Sequence, residues 1–251
     1  MHRRLLGLTS AMAIVFGIMI AFAPCGHAIT IDDFSNGYPA NPDLPTALYE
    51  LIFVGTMCDG SSCPPGTVVS HLVSDVAHQT GLSGVLGGER YALITYVLGT
   101  ANSVMYEAGN MLTFNHNAMA SAKLALTYGL SDDLNANFTA MGATELQVNV
   151  VDGDMYSGPR PVPCTITVTS GRGTPNELTA SVTTSLVLAG VYSYPFSSFT
   201  GIDFTDVDRI AYLFDASLVQ SVDFAIGPLT TDEHPVGTQP TTWGAVKSLF
   251  K

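Results

Sequence analysis

Residues 198–229, SFTGIDFTDVDRIAYLFDASLVQSVDFAIGPL, decide how this chain is read. Within them RIAYLF (209–214) and SVDFAI (221–226) crowd β-branched and aromatic residues between Gly, Asp and Ser, which predicts two strands. The intervening DASL (215–218) is short enough to predict a hairpin connection. Far upstream, ITIDDF (29–34) predicts another strand, one that carries an acidic pair. An early strand ending in Asp-Asp-Phe and a late one reading Val-Asp-Phe-Ala-Ile are expected to adjoin, closing one fold from opposite ends of the sequence.

Between these ends the strand signal recurs at short intervals. LYELIFV (48–54), TVVSHLV (67–73), RYALITYVL (90–98), SVMY (103–106), MLTFN (111–115) and AKLALTY (122–128) are separated by turns rich in Gly and Asn. TELQVNVV (144–151) alternates cleanly, with Leu146, Val148 and Val150 on one face and Glu145, Gln147 and Asn149 on the other. CTITVT (164–169) repeats that pattern, and 178–188 predicts one long bent strand. Pro195 makes 192–200 an irregular approach to the final pair of strands. Short strands at regular spacing, with no long helices between them and no fixed repeat, predict an all-β fold: a two-sheet antiparallel β-sandwich of the jelly-roll kind over residues 29–229.

Residues 1–28 read as a signal peptide, with basic His2-Arg3-Arg4, an uncharged apolar run over 5–23, and Gly26-His27-Ala28 as the cleavage site. The expected address is secreted or at the cell surface. The 223 residues that remain are enough for one large β domain. Without Arg3 and Arg4, seven basic residues face 21 acidic ones, a net charge of −14. That sign argues against nucleic acid and anionic membranes as partners, and it favours divalent cations or neutral ligands such as sugars. Residues 230–242 read as a Pro- and Gly-bearing linker. The tail at 243–251, WGAVKSLFK, places Trp243, Val246, Leu249 and Phe250 near one side of a short amphipathic helix.

Cys58 and Cys63 bracket a tight loop, and in an oxidising compartment they are expected to form a local disulfide. Cys164, left over, is expected to be a buried thiol in a strand. The glycine-rich segment 80–88 lacks dinucleotide or P-loop spacing and reads as tight turns. Asp132-Asp133-Leu134-Asn135 and Asp152-Gly153-Asp154 also read as turns. Ser83 lacks the surroundings of a nucleophile elbow, and His71, His78 and His116 lack a metalloprotease motif. No catalytic residue is assigned, and the chain reads as a non-enzyme.

IDDF (31–34), the evenly spaced strands and the 204–226 segment resemble the galactose-binding-like jelly rolls found among carbohydrate-binding modules. That resemblance implies a glycan or surface polymer as partner and a structural calcium near the paired terminal strands. Asp32, Asp33 and Asp223 are the carboxylates it points to, since a hard cation prefers oxygen ligands. Tyr91, Tyr96, Tyr106 and Tyr128 stand for the sugar-stacking platform, because the only Trp lies in the tail. The tail also resembles short Thr-Trp-Gly-x-x-Lys endings of some exported bacterial proteins. A self-associating structural surface protein is the alternative reading, using the tail or edge strands as contacts, and a hydrolase ranks below both.

Overall fold

The alternation read in the sequence becomes strands in the computed structural model, which describes residues 27–35, 49–57, 70–72, 74–98, 103–107, 110–116, 120–140, 142–153, 161–219 and 222–233. In chain order they are β1 (Thr30–Asp32), β2 (Tyr49–Met57), β3 (Ser70–Leu72), β4 (Ser74–Thr80), β5 (Glu89–Leu98), β6 (Ser103–Glu107) and β7 (Leu112–His116). After these come β8 (Ser121–Tyr128), β9 (Glu145–Gly153), β10 (Val162–Ser170), β11 (Leu178–Leu186), β12 (Gly190–Pro195), β13 (Val207–Asp215) and β14 (Asp223–Thr231). They build two antiparallel sheets, the all-β sandwich expected from the spacing. One has eight strands in the order β12-β9-β14-β7-β6-β2-β3, with β1 beside β14, and the other has six in the order β11-β10-β13-β8-β5-β4.

The core lies between the sheets and is filled by the inward half of each alternating strand. Leu146, Val148 and Val150 of β9 face Ile166 and Val168 of β10 and Ile210 and Phe214 of β13 across one continuous apolar cluster. Burying each such side chain stabilises the fold by about 1.5–3 kcal/mol. Phe224 meets Phe114 edge-on at 5.6 Å and Phe214 at 5.5 Å, so aromatic contacts tie β7, β14 and β13 together.

β13 and β14 do not form the hairpin that their sequence spacing predicts. β13 pairs with β10 and β8 in the smaller sheet, whereas β14 pairs with β7 and β9 in the larger one, and the chain crosses between sheets over residues 216–222. Both strands carry an inward apolar face, and setting those faces opposite one another buries both. The carboxylate of Asp215 accepts the Ser217 N–H at 3.0 Å and turns the chain at the crossing.

β14 runs through Thr231, beyond the strand end expected at 226 and the domain end expected at 229, and Asp232 accepts hydrogen bonds from the backbone N–H groups of Thr144 and Glu145 at 2.7 and 3.0 Å. β9 lines one side of β14. The other side is shared by β7, opposite 223–226, and β1, opposite 229–230. Gly227 and Pro228 fall where one partner ends and the next begins, a place where the ladder tolerates a residue without an N–H.

β1 thus adjoins the last strand as expected, with Thr30 opposite Thr230 and Asp32 opposite Leu229. A buried polar clasp secures it. Asp32 accepts the Phe34 N–H at 2.9 Å and the Tyr128 hydroxyl at 2.8 Å, and the Arg90 guanidinium lies 3.3 Å away. Neither charged side chain of this pair is more than 1% exposed, and the Phe34 ring lies beneath Arg90 at 5.6 Å. Burial raises the Asp32 carboxyl above its ordinary range, against the pull of Arg90 and the two donors.

The disulfide expectation is corrected. No disulfide is found among the described residues, where Cys164 is free and buried inside β10. It faces the apolar core, where a thiol packs as a small hydrophobe and meets no second cysteine. Cys58 and Cys63 lie outside the described residues, as do residues 1–26, within the expected signal peptide, and residues 234–251, which hold most of the expected linker and all of the expected tail.

Candidate functional site

The three carboxylates expected to share a cation are not brought together. Asp32 is committed to the buried clasp beside a guanidinium, a setting that opposes a second cation. Asp33 is half-buried next to it and turned outward, its carboxylate accepting the Ser35 N–H at 2.9 Å. Asp223 starts β14, six residues before Leu229, the partner of Asp32, which is roughly 20 Å of extended strand. As placed, these residues do not fit one calcium. Among the described residues no three His, Cys, Asp or Glu side chains gather as a metal site would need.

The tyrosines also separate. Tyr128 is fully buried, with its hydroxyl spent on Asp32, and belongs to the core. Tyr91 is half-buried on the outer face of the smaller sheet, 6.2 Å from the His78 ring. The side chains of Tyr96 and Tyr106, and that of His71 on β3, lie outside the described set. His78 reaches Glu89 Oε1 at 2.9 Å, and the Ser131 hydroxyl donates to the same oxygen at 2.8 Å. Because the serine donates to the carboxylate and not to the imidazole, this cluster pins the 129–135 loop and does not activate a nucleophile. The glycine-rich 80–88 segment is a loop of turns, as expected, and contributes a 3-10 turn at Leu86–Gly88. Asn135, at φ 47°, donates through its side-chain amide to the Asp133 carbonyl at 3.0 Å, and Arg172 bonds Asp133 at 2.9 Å, so the acidic 132–135 run, expected as a turn, is an irregular loop held by these bonds after a bend at Asp132.

What the fold does assemble is an open groove on the outer face of the larger sheet, across β7, β14 and β9. It is about 520 Å³ in volume and lined by Met111, Thr113, Asn115, Val151, Asp152, Gly153, Asp223, Phe224 and Ala225. Pairing sets its geometry: Thr113, Ala225 and Asp152 form one row across the three strands, and Asn115 stands opposite Asp223 in the next. Alternation turns these residues outward while Leu112, Phe114, Phe224 and Ile226 hold the floor from the core side. The Asp223 carboxylate is fixed by the His116 N–H at 2.9 Å, and that of Asp152 by the Gly153 N–H at 2.8 Å. Two carboxylates, an amide and a hydroxyl therefore converge beside the apolar surfaces of Met111 and the half-exposed Val151. Such a set accepts and donates hydrogen bonds to several hydroxyls at once, and its negative sign disfavours anions.

No protein-family model and no curated protein matches the chain. Among solved structures, several resemble it distantly. An exo-beta-agarase superposes with a TM-score of 0.36 at 10% identity, over 84% of this chain and 26% of its own. PfGH50B gives 0.35 at 11% identity, over 59% of this chain and 23% of its own, so this chain spans about a quarter of the length of either. A family 29 carbohydrate-binding module complexed with mannohexaose gives 0.28 at 12% identity, over 74% of this chain and 92% of that module.

Of the groove residues, sequence reasoning singled out Asp223 as a metal ligand and Asp152 as a turn, and it missed Thr113 and Asn115. Positions 113, 152 and 225 become neighbours only through long-range pairing. The one local hint was that Thr113 and Asn115 share the polar face of a strand whose other face is apolar.

Proposed function

We propose that this chain is an exported, non-catalytic glycan-binding β-sandwich that takes a neutral sugar in the groove across β7, β14 and β9. The observation that carries the reading is the convergence of Thr113, Asn115, Asp152 and Asp223 beside Met111 and Val151 in one open, pre-formed groove. A sugar offers hydroxyls to such polar groups and its C–H faces to the apolar ones, and a groove of this volume accommodates a short oligosaccharide. The reading rests on the groove and not on likeness to carbohydrate-binding modules. The net charge of −12 is consistent with a neutral ligand.

A glycan array followed by calorimetry on the bound oligosaccharides tests it. Asn115→Ala and Asp152→Ala should each weaken binding about tenfold, or about 1.4 kcal/mol, without altering the fold. The proposal fails if no neutral glycan binds at about 1 mM, or if both variants bind as the parent does. Titrating calcium in the same calorimeter tests the cation that the sequence resemblance implied. Release of new reducing ends from a bound glycan would replace the non-catalytic reading with a hydrolytic one.

A further inference from the structure

The outer edge of β11 pairs with no strand among the described residues. Its sequence, LTASVTTSL, holds no charge, no proline and no glycine, and its nine-residue register with β10 is free of bulges. Edge strands are normally kept short or blunted by lysine, proline or a bulge, because an unpaired row of N–H and C=O groups is a template for another strand. β11 has none of these protections, although the chain as a whole is strongly acidic.

The strand already shows how it pairs. Across β10 and β11 the hydroxyls of Thr165 and Thr183, Thr167 and Ser181, and Thr169 and Thr179 meet on the solvent face at 2.8, 2.8 and 2.9 Å. β11 is also complementary to itself. Laid antiparallel on a second copy with a two-fold axis at Val182, it places Thr179 opposite Ser185 and Ser181 opposite Thr183, hydroxyl facing hydroxyl on the exposed face. On the other face the same register sets Leu178 opposite Leu186 and Ala180 opposite Thr184. Leu178 is 48% exposed in the single chain whereas Leu186 is already fully buried, so the exposed hydroxyl face carries the complementarity. An acidic protein approaches its own copy with least repulsion along a seam that bears no charge.

We propose that β11 pairs antiparallel with β11 of a second copy of this chain about a two-fold at Val182, joining two six-stranded sheets into one continuous sheet and extending the hydroxyl ladder across the seam. The partner is a second copy because the register that satisfies the edge is the one in which this strand reads against itself. The groove across β7, β14 and β9 lies in the other sheet, so the pairing leaves it open and does not depend on the glycan reading.

Sedimentation equilibrium of the full chain tests the proposal, and a concentration-dependent dimer is expected over about 1–100 μM. S181K/T183K faces ammonium groups across the seam and should raise the dimer dissociation constant at least about tenfold, while S181K/T183E faces lysine with glutamate and should restore dimerisation. Thr95→Lys, on the same sheet face but on β5, should dimerise as the parent does. S181E/T183E repeats the repulsion with the opposite sign should the double lysine fail to fold. A monomer throughout the range overturns the proposal. So does dimerisation that like charges leave unchanged, or a lysine–glutamate pair that behaves like the double lysine.

Discussion

Replacing His116 with leucine should remove a defined part of this protein's acid sensitivity. His116 closes β7 with its side chain turned inward, 3% exposed, packed edge-on against Phe114 at 4.4 Å. Neither ring nitrogen has a hydrogen-bond partner among the described residues, so nothing near it stabilises a charge. The nearby Asp223 carboxylate binds the backbone N–H and not the ring. Burial accordingly lowers the His116 pKa from 6.5 to about 4. The unfolded chain then takes up a proton at a higher pH than the folded one. Stability is whole above about pH 6.5, falls as the pH drops, and levels off near pH 4. The full difference is about 3 kcal/mol, most of which should be lost by about pH 4.5. Urea unfolding at about pH 7.5 and about pH 4.5, on the parent and on His116→Leu, isolates this contribution because the carboxylates titrate in both proteins. The parent should lose about 2–3 kcal/mol more than the variant between the two conditions. Equal losses would refute the reasoning, since they would mean that His116 takes up its proton in the fold as readily as in the unfolded chain.

The buried clasp makes an equally direct target: Arg90→Met strands the Asp32 carboxylate in the interior and should cost about 3–5 kcal/mol in urea unfolding, and a cost below about 1 kcal/mol would mean the pair is open to water. Gly84 sits at φ +75° with the Asp33 side chain where a β-carbon would go, and its carbonyl accepts the Asp33 N–H at 3.1 Å. Gly84→Ala should therefore cost at least about 1–2 kcal/mol, read as a lowered melting temperature, and an unchanged melting point would contradict that close approach. Burial pushes the Cys164 thiol up to about 12, so a thiol reagent followed by peptide mapping should leave Cys164 unlabelled in the native protein and label it only in denaturant.

The sandwich was legible because its inner faces repeat with a period of two. Leu146, Val148 and Val150 are buried as their alternation predicts, and Gln147 and Asn149 face outward. Cys164 was read correctly for the same reason, standing in phase with Ile166 and Val168. The placement of β13 and β14 in different sheets is not legible in the sequence, because two adjacent strands with matching apolar faces fit a hairpin and a crossing between sheets equally well. β4 was missed as a strand through Thr80, since SDVAHQT has little apolar alternation and owes its conformation to pairing along β5 at the sheet edge. β12 was read as irregular on account of Pro195, which in fact ends the strand at a sheet edge, where a missing N–H costs nothing. The groove was hidden more deeply. Asn115, Asp152 and Asp223 are separated by long stretches of chain, and only the tertiary ladder makes them neighbours.

The position of β14 also constrains how the molecule can come into being. It is the last strand in the described chain, yet it is inserted between β9 and β7 and also holds β1. A polypeptide stopped short of residue 223 would own two unlinked pieces of the larger sheet, β12 with β9 and β7 with β6, β2 and β3, and a first strand without its ladder partner. Emerging from its N-terminus onward, the protein must therefore hold these fragments unjoined until its final strand arrives, and assembly that depends on contacts this distant in sequence is slow.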